Sequence, residues 1–168
     1  MEEDIKQRML AIKMIVFDVD GVLTDGRIFK TGGGEEILAF NVRDGAGIAR
    51  LKREGIEVAL ISGRVSGATM SRAVELGVEK VQMGKKEKGE AIDSLAEESG
   101  IDLQAMAFLG DDLLDIAAMK KVGLAVAVAD AADEVKDAAH MVLDTPGGMG
   151  AARELAETVL KAAGRWKI

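Results

Sequence analysis

The sequence holds no cysteine, one histidine and one proline in 168 residues, and each shortage removes a class of chemistry or architecture. Without cysteine there is no disulfide framework, no thiolate metal site and no thiol nucleophile. A histidine-based triad would rest wholly on His140, which stands in an apolar, strand-like run and is expected to be structural. No site is assigned to it or to Trp166. With one proline and no proline- or serine-rich stretch there is no linker, so residues 1–168 are expected to form a single domain. No internal repeat is present. Apolar runs are short, none nearing the roughly 18 residues of a membrane span. The charged start Met1–Lys6 lacks the apolar core of a signal peptide, and the expected location is cytoplasmic, with no membrane partner. Basic charge is also in deficit: a net charge of −7 and a pI near 4.9 argue against nucleic acid, which needs a basic stripe. An anionic substrate must be held locally, by a metal and a few chosen cations.

What is there centres on Lys13–Thr24, an apolar run that ends in two carboxylates, Asp18 and Asp20. Such a run closed by Asp and Gly reads as a buried parallel strand opening into a turn, and strand ends of that kind are where open α/β sheets bind ligands. Two neighbouring carboxylates repel by about 4 kcal/mol at about 4 Å and an effective dielectric of about 20. A hard divalent cation would compensate them; an ordinary Asp-Gly turn is the plainer alternative.

A helix over Glu3–Ile12, with Ile5, Met9 and Ile12 at helical spacing, precedes this strand. Two short apolar runs, Arg27–Lys30 and Glu36–Phe40, flank a glycine cluster and predict a β-hairpin. An isolated hairpin is marginal in water, so it must pack on something, a second subunit included. From Asp44 onward helices and strands alternate. Helices carrying Ile48 and Leu51, then Met70, Ala73 and Val74, then Ile92, Leu95 and Ala96 end at Gly55, Gly77 and Gly100. Strands are expected at 58–61, 78–82, 106–109, 124–128 and 140–143, with helices to about 121, from 131, and from about 150. The alternation predicts an α/β fold, a doubly wound, mostly parallel sheet. A chain of this length buries roughly 70% of its unfolded surface, enough for an ordinary core.

Three strand ends carry polar punctuation at what should be one sheet edge: Asp18/Asp20, Ser62-Gly63 and Asp111/Asp112, with Asp115 one turn further on. Each has a plainer reading, as a helix cap or as acids complementing a helix dipole. Together they imply a cation, because converging carboxylates are otherwise mutually destabilising. Lys88 opens a predicted helix, where a cation opposes the dipole; it is either part of a solvated charged turn or a phosphate holder beside backbone N–H groups.

Taken in order, Asp18-Val19-Asp20, Ser62-Gly63, Lys88 and Gly110–Asp115 resemble the four motifs of the haloacid dehalogenase superfamily of phosphohydrolases. Residues 18–26, 40–45, 110–113, 126–131 and 147–154 resemble its capless branch, the 3-deoxy-D-manno-octulosonate 8-phosphate phosphatase family, over about residues 10–162. The resemblance implies a Rossmann-like fold with a small hairpin flap and no cap domain. It also implies magnesium-dependent hydrolysis of a sugar acid phosphate through an aspartyl-phosphate. Asp18 would be the nucleophile and Asp20 the general acid/base. Mg2+ would be held by Asp18, the Asp20 carbonyl and Asp111. Ser62, Gly63 and Lys88 would bind phosphate, while Asp112 and Asp115 would hold metal-bound water and orient their loop. In this family small subunits form a homotetramer, and the glycine-rich C-terminal segment reaches a neighbour's active site. Arg64 and Arg153 are therefore expected to meet the substrate carboxylate. Ser62 replaces the family's usual Thr, and Met83 stands where Gln is common. Arg64, in place of the Glu of nine-carbon sugar acid phosphatases, favours the eight-carbon substrate. The alternatives are that nine-carbon substrate, a non-catalytic oligomerisation module like the domain fused to acylneuraminate cytidylyltransferases, and a phospho-accepting receiver domain. The intact acidic residues oppose the module, and the placement of the motifs opposes the receiver domain.

Overall fold

The computed structural model describes residues 3–167. In it helix α1 (Glu3–Ala11) leads into β1 (Met14–Phe17), and β2 (Phe29–Lys30) and β3 (Glu36–Ile37) form the hairpin. There follow α2 (Val42–Arg53), β4 (Glu57–Ile61), α3 (Gly67–Glu75), β5 (Lys80–Gln82), α4 (Lys88–Ser99) and β6 (Met106–Gly110). A 3-10 turn at Leu113–Asp115 precedes α5 (Ile116–Met119), β7 (Leu124–Ala127), α6 (Asp133–Ala138), β8 (Met141–Val142) and α7 (Ala151–Ala162). The expected architecture is present: six parallel strands in the order β5-β4-β1-β6-β7-β8, with helices around them. Among the described residues the hairpin is the only regular element between β1 and α2.

The chain passes from β1 outward to β4 and β5, then crosses back to β6 on the other side of β1. This reversal makes the C-terminal end of β1 the switch point where open α/β sheets take ligands. Strands β1, β6 and β7 are buried at every position, as expected for a parallel sheet covered on both faces. Phe17 and Phe108 are the bulkiest of the fully buried side chains.

Several boundaries differ from the sequence expectation. Helix α2 begins at Val42, because the Asn41 side chain caps it by accepting from the Arg43 N–H at 2.9 Å. The helix after Asp112 is a 3-10 turn plus one short α-helical turn. The hairpin pairs only two residues on each strand. In α3 the apolar residues do not share a buried face: Ala73 is buried, whereas Met70 is 41% and Val74 72% exposed. Val65, Ile28, Phe29, Ile37 and Val42 are exposed as well. The helix and the hairpin therefore leave apolar surface unspent on this chain's own core. No helix among the described residues is long and apolar enough to cross a membrane.

Candidate active site

The register of the sheet carries Phe17, Leu60 and Leu109 side by side, so the residues that follow them emerge at one edge. Asp18 stays in the ladder, its N–H donating to the Leu109 carbonyl at 3.0 Å. The chain then turns. The N–H groups of Val22, Leu23 and Thr24 all donate to the Val19 carbonyl, at 3.3, 3.0 and 3.1 Å, and the buried Thr24 hydroxyl accepts from the N–H groups of Gly21 and Gly26. Gly21 adopts φ +93°, and a side chain there would run into the Asp111 carboxylate. Only glycine lets the loop pass so close.

This turn separates the two carboxylates that an extended strand would hold on one face. Asp18 is 4% exposed and joins Asp111 and Asp115, whose oxygens lie within 4.8 Å of one another. Asp20 lies outside that trio and is gripped by Arg64, whose Nε and Nη2 donate to its two oxygens at 3.1 and 2.8 Å. The other side of the guanidinium donates to Glu36 of β3 at 2.8 Å, and the Ser66 hydroxyl donates to Glu36 at 2.6 Å. Those hydrogen bonds from Arg64 and Ser66 hold the Glu36 carboxyl down at about 2; the bonds to Asp20 and Glu36 hold Arg64 well above its ordinary value. Arg64 therefore ties the hairpin to Asp20, a link the sequence did not reveal.

Lys88 is neither solvated nor at the surface. It is 4% exposed at the start of α4, with Nζ donating to Asp18 at 2.7 Å and to Asp115 at 2.5 Å. Burial alone would lower its pKa, but Asp18 and Asp115 outweigh that and raise it. Asp115 is completely buried, and its second oxygen accepts from the N–H groups of Asp111 and Asp112 at 2.9 and 3.1 Å. The expectation that paired Asp112 with Asp115 thus divides. Asp115 orients the loop from inside, whereas Asp112 is exposed and caps the 3-10 turn. Ser62 is buried, its N–H bonded to the Gln82 carbonyl at 2.8 Å and its hydroxyl accepting from the Arg64 N–H at 3.2 Å. Gly63 follows it at the same edge.

The cluster is electrostatically incomplete. Three carboxylates face one ammonium, and a buried Asp111 oxygen, Oδ1, has no hydrogen-bond partner. Burial, then repulsion from Asp115, pushes Asp18 up to about 6; burial, then repulsion from Asp18 and Asp115, pushes Asp111 up to about 8. Oxygen-only donors, more carboxyl groups than the one ammonium can balance and an orphaned acceptor fit a hard divalent ion such as Mg2+.

Arg153 is not brought to this cluster. Its Nε donates to Glu157 at 2.7 Å and its guanidinium lies 4.8 Å from the Trp166 ring centroid. His140 is structural, as expected: its Nδ1 accepts the Ala125 N–H at 2.8 Å, locking β7 to the segment before β8. Sequence reasoning missed Glu36 and Ser66. The N-cap pattern of Ser66, which accepts from the Thr69 N–H, was visible; Glu36 resembled an ordinary polar hairpin residue.

Comparison with known proteins agrees with this geometry. Residues 79–155 match the model of a haloacid dehalogenase-like hydrolase family. The chain is 42% identical over 163 residues to a 3-deoxy-D-manno-octulosonate 8-phosphate phosphatase of Haemophilus influenzae, spanning 97% of this chain and 91% of that protein. A phosphatase of the same name from Yersinia pestis superposes with a TM-score of 0.95 at 40% identity, covering 97% of this chain and 88% of that one. Another, from Moraxella catarrhalis, was solved with magnesium, phosphate and the sugar acid; it superposes with a TM-score of 0.94 at 37% identity, covering 96% and 93%.

Proposed function

The chain belongs to the 3-deoxy-D-manno-octulosonate 8-phosphate phosphatase family of haloacid dehalogenase-like hydrolases, and from that premise we propose that it hydrolyses this eight-carbon sugar acid phosphate. The observation that carries the reading is the buried Asp18 carboxylate at the sheet's switch point, in contact with Lys88 and beside Asp111.

Asp18 is the nucleophile: its carboxylate attacks phosphorus in line, and the bond to the sugar oxygen breaks as an aspartyl-phosphate forms on Asp18. Asp20 gives its proton to the leaving alkoxide, then takes one from the water that hydrolyses the acyl phosphate. Arg64 holds Asp20 by both oxygens, and this ion pair has to open at one of them for the carboxyl to carry the proton it delivers. Asp18, Asp111 and the Asp20 carbonyl are the groups that would hold Mg2+, which when bound neutralises charge between an anionic nucleophile and an anionic phosphate. Lys88 fixes the Asp18 rotamer and partly neutralises it, while Ser62 and the Gly63 N–H offer donors to the non-bridging oxygens. Asp115 keeps the Asp111–Asp112 peptides in place from below, and Asp112 stays at the solvent side.

The same proposal includes a homotetramer. Phe29 and Ile37 of the hairpin are 53% and 55% exposed, and together with Val65, Met70 and Val74 they supply an apolar surface that a second copy would cover. Arg153 would serve substrate only if assembly brought it to a neighbouring site.

The test is a panel of sugar acid phosphates with magnesium or chelator, with acid-quenched trapping of labelled phosphate. Turnover of the eight-carbon ester and label on Asp18 support the reading. Preference for a nine-carbon ester would replace the substrate, and label on another residue would remove Asp18 from its role.

A further inference from the structure

Two stretches singled out in the sequence, 40–45 and 147–154, find no use in the reaction above, yet in the structure they grip each other and the loop after β1. Asp44 is buried in the first turn of α2, and its Oδ1 receives the Arg153 N–H in the first turn of α7 at 2.9 Å, while its buried Oδ2 has no partner. The Asn41 side chain donates to the Gly148 carbonyl at 3.3 Å. Gly47 lets the two helices close up, since a side chain there would sit 2.9 Å from the Arg153 Cα.

The far side of the same turn rests on the catalytic loop. The Gly148 N–H donates to the Val22 carbonyl at 2.8 Å, and Gly147 donates to Asp130 at 2.9 Å. A side chain on Gly147 would overlap the Gly21 carbonyl, and one on Gly148, at φ +70°, would overlap the backbone of Thr24 and Asp25. Gly21 is thus enclosed, with Gly147 against its carbonyl and the Asp111 carboxylate where a side chain would stand. Displacing one wall displaces the Asp20–Gly21 peptide relative to Asp111.

We propose that the 147–150 turn, locked to α2 through Asn41 and Asp44, is a clamp that sets the position of the 19–25 loop. Gly147, Gly148 and Asp44 are accordingly positioning residues. The inference deepens the catalytic reading of that loop and rests on it. It also assigns the glycine-rich segment to this chain's own active-site loop, whatever else it meets in an assembly.

The test uses the full chain and compares Gly147→Ala with Leu160→Ala, a core truncation at the opposite end of α7. Backbone amide exchange is read in peptides spanning 19–26, alongside kcat, KM and the magnesium concentration for half-maximal rate. Gly147→Ala is expected to speed exchange in 19–26 and to lower kcat at least tenfold, with a higher magnesium requirement. Leu160→Ala is expected to lower the melting temperature while leaving exchange in 19–26 and kcat near those of the parent. Equal effects of the two variants at equal melting temperature, or unchanged exchange in 19–26, overturn the clamp. If Gly147→Ala does not fold, Asp44→Ala is read instead, because it removes the oxygen that accepts the Arg153 N–H: faster exchange in 19–26, remote in sequence from the substitution, supports the clamp and its absence overturns it. Asp18→Asn separates the underlying reading. It should abolish turnover without altering exchange in 19–26, and retained turnover there would defeat the catalytic reading while the exchange arm still judged the clamp.

Discussion

Substituting Asp111 by Asn should stabilise the metal-free protein at the expense of its response to magnesium. In the folded chain burial and the neighbouring Asp18 and Asp115 raise the Asp111 carboxyl from 3.8 to about 8. At about 1.4 kcal/mol for each factor of ten, that gap bounds the strain at about 6 kcal/mol. Asp111 retains partial contact with water, and screening and local relaxation reduce the figure to about 2 kcal/mol. For a chain of this size that is about 4–8 °C in melting temperature. The sign follows from linkage. A carboxyl whose folded value lies above its unfolded value binds its proton more tightly in the folded state. Its contribution is fully present below the unfolded value and is lost as pH rises through the folded one. The advantage of Asp111→Asn in chelator should therefore grow from about pH 4 to about pH 8 and then level off. The difference between variant and parent cancels the titration of groups the substitution does not disturb. Thermal unfolding by circular dichroism across this range, with and without magnesium, measures it. The parent should gain most from magnesium near pH 8, and Asp111→Asn should gain little. A variant no more stable than the parent at pH 8 in chelator would refute the reasoning, because the cluster would then carry no uncompensated charge.

Three further outcomes are expected. Lys88→Met leaves Asp18 and Asp115 buried without their cation and should cost about 3–5 kcal/mol, read as a fall in denaturant midpoint; a loss below about 1 kcal/mol would mean that Lys88 does not balance them. Glu36→Gln removes the charge that anchors the far side of Arg64 and should lower kcat severalfold with little change in melting temperature, and an unchanged kcat would show that the hairpin does not influence Asp20. Phe29→Asp with Ile37→Asp should yield monomers in light scattering, whereas an intact assembly would move the subunit interface away from the hairpin.

The alternation of elements was legible because parallel strands buried on both faces read as unbroken apolar runs: Met14–Phe17, Met106–Leu109 and Leu124–Ala127 could hardly be anything else. Glycines marked helix ends for a local steric reason, and Gly55, Gly77 and Gly100 all carry positive φ. The face of α3 was misread because Met70 and Val74 satisfy helical periodicity equally well for a core or for an external apolar surface. Periodicity reports that a face is apolar, and what covers it is tertiary information.

Asp18, Asp20 and Asp111 could be found from sequence because they follow directly on the ends of β1 and β6, and strand ends of a parallel sheet converge whatever the intervening helices do. Lys88 shows the limit of that logic. Within Lys85-Lys86-Glu87-Lys88, composition cannot tell the one buried lysine from its solvated neighbours, yet in the fold it alone of the four contacts Asp18 and Asp115. The difference lies in the helix phase: Lys88 is the first residue of α4, and its neighbours Gly89, Ala91 and Ile92 are buried in the same face. Gly89 is small where a side chain would press on Ala117 at 3.2 Å, so α4 can approach α5 and carry the Lys88 stem inward. Gly89→Leu should consequently push α4 outward and withdraw Lys88 from Asp18 without changing any charged residue. Its signature would be that of Lys88→Met, with loss of stability and of turnover together. A Gly89→Leu protein that kept parental turnover would show that Lys88 reaches Asp18 independently of how closely α4 packs, and would make its burial incidental to the site.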